Sequence, residues 1–439
     1  MAPRKKKDVL DKSETVSDSL NLKLEDMEGI GPIRLKKLYA NGIYTVDDLL
    51  SYGEEALSRM LDISWDDAKK MTQTANESLN TEDVFSSLTV SGKDYFDFRK
   101  KKIEYMTTGH EELDEITGGF ETGVITEFFG AFGSGKTQFM MVASIMAQLP
   151  KEACCLSCGQ TDNEPVKDTK CECGGTWWNG GGLSEFGKSC RVVYIDTENS
   201  YRPERLYHII CNRELIKTKP QTKTQEKQQA DKEPLNDEEY EKAMQIVYNV
   251  HVSRPRTSAI QMYTVNNLSS LISGDMCKHC HKREVSALSE PTHRNHPKAK
   301  DDMDLEDHDF EKDIPARLVI LDSITGKFRK EFEGRGTLSD RQVKLSSHVR
   351  MLESVVEAKN VICLVTNQAQ EALGVMGDNV RPVGGNVIGH TFTHRIYLKK
   401  PQSMSKDKIT AILVDSPNKA KNEVTLELGG KGIQKESSG

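Results

Sequence analysis

Residues 130–137 read GAFGSGKT, so Gly130 and Gly135 stand at the ends of a four-residue spacer, followed at once by Lys136 and Thr137. That spacing belongs to a loop that wraps phosphate groups. Gly130, Gly133 and Gly135 let the backbone turn with its N–H groups inward, Ala131, Phe132 and Ser134 fill the turns, and Gln138 starts the next segment. Lys136 can reach the β- and γ-oxygens of a nucleotide, and the Thr137 hydroxyl can ligate magnesium. The flanks fit, because the apolar run VITEFF precedes the loop and the helical pattern TQFMMVASIMAQL follows it. Asp322 ends RLVILD, the position from which a carboxylate holds magnesium through its water shell; a strand-terminal turn aspartate is the plainer reading. Asp196 and Glu198 end VVYIDTE, where a glutamate can orient and activate an attacking water, although helix capping by either explains them equally well. Gln368 in VICLVTNQ suits the sensing of a γ-phosphate, and an ordinary loop start competes with that role.

A second chemistry is written in cysteines. The stretch CCLSCGQTDNEPVKDTKCECGG gives Cys155-x2-Cys158 and, twelve residues on, Cys171-x-Cys173. Two glycine-closed knuckles suit a tetrahedral thiolate zinc site. Buried or redox-active cysteines are the rival, and Cys154 can replace Cys155. Further on come Cys277-x2-Cys280 and, after twelve residues, His293-x2-His296, with His279 and His281 as competing ligands and a histidine spacing one short of the usual range. Four protein ligands leave no position for a reacting water, so one or two structural zinc ions are expected. The acidic run from Asp301 to Asp313 is a solvated connector, a DNA mimic or a lure for a basic partner.

These groups need a scaffold. The 439 residues suffice for two or three domains. A polar N-terminus and the lack of a long apolar run exclude secretion and membrane insertion as expectations, which leaves an intracellular protein. A formal charge of -7 argues against a uniformly basic nucleic-acid coat, so any DNA contact must come from local basic loops. Residues 1–20 have the composition of a disordered tail, 21–80 are helical, 81–105 form a linker, and 106–433 alternate β-branched apolar runs with helical patterns. The expected fold is α/β with a mainly parallel sheet, preceded by a small all-α domain. Within the latter, Gly29, Gly31 and Pro32 make a hairpin, with Ile33, Leu35 and Leu38 packing and Arg34, Lys36 and Lys37 supplying charge. This resembles a helix-hairpin-helix module, whose glycines bring backbone N–H groups to a phosphate; a plain bundle turn is the alternative. MLDISWDDAKKM lacks those glycines and is expected to serve packing. Segments 151–190, 217–238 and 273–315 interrupt the rhythm as insertions, and each joins a helix to the next strand. They should emerge from the rim opposite the phosphate loop.

The order of the hairpin module, TTGHEELDEITGGFETGVITEFFGAFGSGKTQ, YIDTENSYRPERL, LVILDS, GRGTLSDRQ, TNQ and RPVGGNVIGH resembles the archaeal RadA and eukaryotic recombinase branch of the RecA family. The likeness covers nearly all of residues 22–433 outside the insertions. It implies a RecA-like P-loop ATPase that polymerises on single-stranded DNA with ATP and Mg2+, and exchanges strands with a duplex in recombination and double-strand break repair, in the cytoplasm or nucleoid if archaeal and the nucleus if eukaryotic. It also implies recombination mediators as partners. Position by position, the resemblance implies that Lys136 and Thr137 bind phosphate and magnesium, Glu198 is the base, Asp322 the second acid, and Gln368 the link to DNA. Arg205 would pack on adenine, and Asp415 and Pro417 would cap ATP across the subunit interface. DNA would be held by Arg329, Arg335, Arg341, Arg381, Gly384, Gly385 and Asn386, besides Gly29 and Gly31. Departures are DTENS for the family's DTEGT, Ala131 for an acidic residue, and VSGK where a phenylalanine motif docks on the neighbouring subunit; Phe85 or Phe96 is the substitute. A paralogue without strand exchange and a ring ATPase remain as alternatives.

Overall fold

The computed structural model describes residues 24, 27, 29–40, 43, 46, 49, 54–79, 91–161, 171–173, 175–213, 215, 237–273, 314–332, 338–371, 380–385, 388, 391–400 and 407–435. The chain divides into two compact units, Met1–Ile103 and Glu104–Gly439. In the first, Leu24, Ile30, Leu38, Leu49, Leu57, Leu61 and Ala68 are buried in one cluster. Pro32 opens the helix Pro32–Ala40, where its missing N–H costs nothing. Gly29 before it sits at φ +88°, a conformation that favours glycine. The plan repeats without glycine: after the helix Glu54–Leu61, Asp62 takes φ 55°, Ile63 and Ser64 follow, and the helix Trp65–Leu79 begins. The Ser64 hydroxyl accepts from the Asp67 N–H at 3.1 Å, capping that helix.

One packing expectation fails. Leu38 is buried and Leu35 lies against the cluster, but Ile33 is 77% exposed. At about 100° per residue, Ile33 points well away from the face shared by Leu35 and Leu38. The expected linker also contains a helix, Gly92–Lys102, capped by the Ser91 hydroxyl accepting from the Asp94 N–H at 3.1 Å. Residues 1–20 and 80–90 lie outside the described residues.

In the large unit, β1 (Tyr105–Met106) pairs with β2 (Phe120–Glu121), and β3 (Ile125–Gly130) starts the main sheet. Between them and the rest of the sheet lies a small pair, β4 (Cys154–Cys155) and β5 (Trp177–Trp178). The main sheet continues with β6 (Arg191–Asp196), β7 (Val250–Ser253), β8 (Ala316–Asp322), β9 (Ile362–Glu371), β10 (Val380–Pro382), β11 (His394–Lys399), β12 (Lys408–Asp415), β13 (Asn422–Gly429) and β14 (Gly432–Lys435). Their order is β14-β13-β12-β11-β3-β9-β8-β6-β7, with β10 on β9. From β11 to β7 every neighbouring pair is parallel. Every residue of β3 and β6 is buried, as expected of parallel strands covered on both faces. β11 and most of β12 instead alternate buried and half-buried residues. There the antiparallel extension β12–β14 begins, whose last two strands the sequence reading did not anticipate.

Phe128 anchors the core from β3, its ring 5.8 Å from Phe120 and 5.1 Å from Phe139. Met140, Tyr194, Ile320, Leu364 and Ile396 join the same buried cluster. Parallel register sets Gly130 opposite Gln368 and Asp196 opposite Asp322, so the strand ends that carry the chemistry share one rim. Segment 151–190 leaves the far end of the helix Lys136–Met146 and enters the start of β6. Of the other insertions, 216–236 and 274–313 lie outside the described residues. Their flanks are described: the helix Asp237–Tyr248 leads into β7, and Ile314 and Pro315 lead into β8. The first and third insertions therefore border strand starts, on the rim away from Gly130, whereas 217–238 runs from the helix Pro203–Asn212 into the helix Asp237–Tyr248 and so joins a helix to a helix, not to a strand as expected.

Candidate functional site

β3 delivers the chain to Gly130, and the helix Lys136–Met146 starts six residues later with Gly135 at its N-cap, φ 86°, and no side-chain cap. Its leading N–H groups and positive dipole end thus lie at the loop. A Cβ on Gly130 would come within 2.6 Å of the Leu398 carbonyl oxygen and of Ser134 Oγ, so packing requires glycine there. Gly133, at φ +74°, has open space on its side-chain side. Ser134 Oγ is buried without a hydrogen-bond partner among the described residues, while Ala131 and Phe132 are exposed, the latter 99%. Lys136 Nζ donates to the carbonyl oxygens of Gly130 at 3.0 Å and Ala131 at 2.9 Å. Burial lowers its pKa, against the opposing pull of Asp322 and Glu198. A glycine cradle, an uncapped helix start and an ammonium fit a polyphosphate.

Asp322 collects hydroxyl groups. Its Oδ2 accepts from Thr137 at 2.8 Å, Tyr194 at 2.9 Å and Ser200 at 3.1 Å, and its Oδ1 accepts from Thr366. Burial pushes the carboxyl pKa up, and the bonds from Thr366, Thr137 and Tyr194 pull it back. Thr137 and Asp322 together offer the hard oxygens that suit Mg2+ with its waters. Asp196, by contrast, caps: it accepts from the N–H groups of Ser200 at 3.0 Å and Tyr201 at 3.2 Å and pairs with Arg254 at 3.5 Å. Glu198 is half-buried, and its Oε1 accepts from Ser323 Oγ at 2.6 Å and Gln368 Nε2 at 3.1 Å. Gln368 in turn accepts from Arg329 through its own Oε1. Glu198, Arg329, Lys330, Arg341, Gln368 and Phe132 line an open cleft of about 540 Å3.

From this cleft a line of bonds leads into the loop after β10. Asn367 donates to Glu127 Oε1 at 2.9 Å and to the Val383 carbonyl oxygen at 2.7 Å. It accepts from Thr325 Oγ1 and from the Gln368 N–H, both at 2.8 Å. Arg395 holds the other oxygen of Glu127 at 2.9 Å. Burial raises the Glu127 pKa, against Arg395 and Asn367. The Val383 N–H donates to the Gln368 carbonyl oxygen at 2.9 Å, which sets Gly384 and Gly385 beside the site. Gly384 takes φ +115°, and a Cβ there would strike Ile388 at 2.4 Å. Arg381 is exposed on β10 opposite Gln370.

The remaining candidate residues described in the large unit lie away from this cleft. Asp415 pairs in register with Arg395 at the start of β11, so Asp415 and Pro417 occupy the rim opposite their own phosphate loop. Arg205 spends its donors on Gln138 Oε1 at 2.9 Å and the Gly429 carbonyl oxygen at 2.7 Å. Gly29 and Gly31 belong to the helical unit. Cys155, Cys158, Cys171 and Cys173 gather beyond the far end of the helix that Lys136 begins, and Cys154 is not one of that group. Arg335, Asn386, Cys277, Cys280, His293 and His296 lie outside the described residues. Tyr194, Ser200, Ser323, Thr366 and Asn367 were missed. Ser323, Thr366 and Asn367 adjoin Asp322 and Gln368 in LDS and TNQ, a signal that could have found them; Tyr194 carries none beyond its strand.

Comparison with known proteins bears on this site. The Rad51 family model matches residues 99–160 and 306–436. The DNA repair and recombination protein RadA of Cenarchaeum symbiosum is 31% identical over 416 residues, covering 94% of this chain and 79% of its own length. Its namesake from Methanocorpusculum labreanum is 31% identical over 415 residues, covering 94% of this chain and 98% of its own. That of Halobacterium salinarum is 29% identical over 417 residues, with the same coverage of 94% and 98%.

Proposed function

The chain belongs to the RadA family of DNA repair and recombination proteins, and from that membership we propose that it is a DNA-dependent ATPase that assembles on single-stranded DNA and exchanges strands with a homologous duplex. The observation that carries this reading is the hydrogen-bonded line from Arg329 through Gln368 to Glu198, because it joins the exposed basic end of a helix, Arg329 and Lys330, to the acid that faces the phosphate loop. In this reading the loop from Gly130 to Gln138 cradles the phosphates of ATP, and Lys136 balances the charge on the β- and γ-oxygens. Thr137 and Asp322 would hold Mg2+, which supplies charge neutralisation when bound. Ser323 and Gln368 fix Glu198 Oε1, orienting its carboxylate to accept a proton from water. DNA at Arg329, Arg341, Arg381 and the glycines 384–385 changes the hold of Gln368 on Glu198, so DNA binding and hydrolysis are coupled.

Self-assembly has its own support. Asp415 and Pro417 lie across the sheet from their own phosphate loop, so they meet a nucleotide only in a neighbouring copy. Gly29 and Gly31 add a duplex-phosphate contact in the helical unit, and recombination mediators inside the cell load the filament. Among the described residues no helix is long and apolar enough to cross a membrane. Electron microscopy with single-stranded DNA, Mg2+ and a slowly hydrolysed ATP analogue tests the proposal: helical filaments are expected, and closed rings alone would overturn it in favour of a ring ATPase. A second reading, a paralogue that binds ATP and DNA without exchanging strands, is favoured by VSGK in place of the docking phenylalanine. Filaments that fail to form joint molecules with a homologous duplex would select it.

A further inference from the structure

Independently of the recombinase reading, we infer that Cys155, Cys158, Cys171 and Cys173 form a closed structural zinc site that holds the 151–190 insertion in shape. Their four sulfurs lie within 4.8 Å of one another. Cys155 Sγ lies 3.5 Å from Cys173 Sγ, and Cys158 Sγ lies 3.6 Å from Cys171 Sγ. Zn–S bonds of about 2.3 Å in a tetrahedron put sulfurs about 3.8 Å apart, so the cluster has nearly the dimensions of a filled site. All four are free cysteines.

The backbone around them is shaped for sulfur. The N–H groups of Cys158 and Ser157 donate to the Cys155 sulfur, and the Gly175 N–H donates to Cys173 Sγ at 3.4 Å. The first knuckle closes through Gly159, whose N–H donates to the Cys155 carbonyl oxygen at 2.9 Å and whose φ is +76°. A Cβ on Gly159 would sit 2.5 Å from the Phe186 ring, and one on Gly175 would sit 2.7 Å from Cys155 Sγ. Gly159 is thus dictated by the closeness of the ring, and Gly175 by Ser157, 2.4 Å from such a Cβ, together with the sulfur. Flanking the knuckles, β4 and β5 pair over only two residues each, too little to stand alone in water. A metal ion gathering both knuckles supplies the missing stability. The insertion is tied to the core by Trp178 Nε1 donating to the Pro150 carbonyl oxygen at 2.7 Å and by the Leu183 N–H donating to that of Ala147 at 3.3 Å. Four protein thiolates leave no open position, so the ion takes no part in hydrolysis.

The test uses the full chain purified under reducing conditions. Metal analysis should find zinc, and Cys155→Ser with Cys158→Ser should lose one equivalent per chain while DNA-stimulated ATPase activity is retained. Should that variant misfold, the wild-type chain treated with a mercurial thiol reagent should release zinc as these four cysteines, mapped by mass spectrometry, are modified. Cobalt in place of zinc should give the intense visible bands of tetrahedral thiolate coordination. Equal zinc content in variant and wild type, iron in place of zinc, or metal-free disulfides at these cysteines would overturn the assignment.

Discussion

At the scale of single residues, the site is a set of polar groups that satisfy one another. Lys136 folds back on the carbonyl oxygens of its own loop, and Asp322 draws hydroxyl groups from β6, β9, the loop after β6 and the helix that Lys136 opens. Phosphate must displace the Lys136 bonds, so that ammonium exchanges two neutral acceptors for charged ones. Lys136→Ala should therefore cut DNA-stimulated ATP hydrolysis by roughly a hundredfold or more, as loss of a charge-stabilising donor does. Phosphate release measured with and without single-stranded DNA checks it, and surviving DNA-independent turnover would move the site elsewhere. His348 gives a different kind of expectation. Its ring is 1% exposed beside Gln261 and Phe328, and burial lowers its pKa from 6.5 to about 3. The folded state thus refuses a proton that the unfolded chain accepts below its ordinary pKa. This contribution to stability is fully present above pH 6.5 and is lost as pH falls towards about 3, at up to about 1.4 kcal/mol per pH unit. Urea unfolding at about pH 7.5 and about pH 5 should show a smaller acid loss in His348→Gln than in the wild type; an equal loss would place the acid sensitivity in other groups.

Among the elements, what could be read beforehand was local. Gly130 to Thr137, the strand RLVILD and the alternation of strands with helices are patterns within short windows, and the parallel sheet follows from them. What escaped depended on distant neighbours. Thr137 and Asp322 meet across 185 positions. The hydroxyl of Tyr194 finds Asp322 only because β6 and β8 pair in register. Asp62 builds a left-handed turn without the glycine that marks one, and Ile33 turns outward because the cluster takes the other face of its helix. The loop after β10 is constrained twice at Gly384, by φ +115° and by Ile388. A side chain there costs about 1–2 kcal/mol from backbone strain alone, roughly tenfold in the population of the native loop. Gly384→Ala should weaken DNA stimulation while basal hydrolysis stays; full stimulation would detach this loop from DNA. The helix Gly92–Lys102 buries none of its residues, and cations cover Tyr95 and Phe98, with Arg99 6.0 Å and Lys102 5.0 Å from the ring centres. Phe96 is the most exposed ring of the three, at 65%. If it replaces the docking phenylalanine, Phe96→Ala should shorten filaments on single-stranded DNA and leave nucleotide binding intact, as electron microscopy and a fluorescent ATP analogue would report. Filaments of unchanged length would leave Phe85 as the substitute.

At the scale of the whole molecule, the direction of the strands separates two kinds of addition. The groups proposed for nucleotide and DNA gather where parallel strands end, and the helical connections carry the chain back to where the next strand begins. The helix Lys136–Met146 spans 11 residues, about 16 Å at 1.5 Å per residue, and the cysteine knuckles attach beyond its far end through Ala147 and Pro150. Material added there does not touch the phosphate loop. Closing the gap is also easy, because Cys154 and Trp178 are opposite one another in the β4–β5 pair and a two-residue turn suffices to join such neighbours. A chain in which residues 155–177 are replaced by Asn-Gly should keep its fold, since the core strands and the contacts of Leu183 and Ser184 with Ala147 remain. It should lose one zinc equivalent and keep DNA-stimulated hydrolysis, with circular dichroism, metal analysis and phosphate release measured on the same preparation. Hydrolysis lost from a chain that is still folded would mean that the insertion acts on the nucleotide site through the helix between them, and the rim opposite ATP would then be a regulatory face rather than a place where added segments are tolerated.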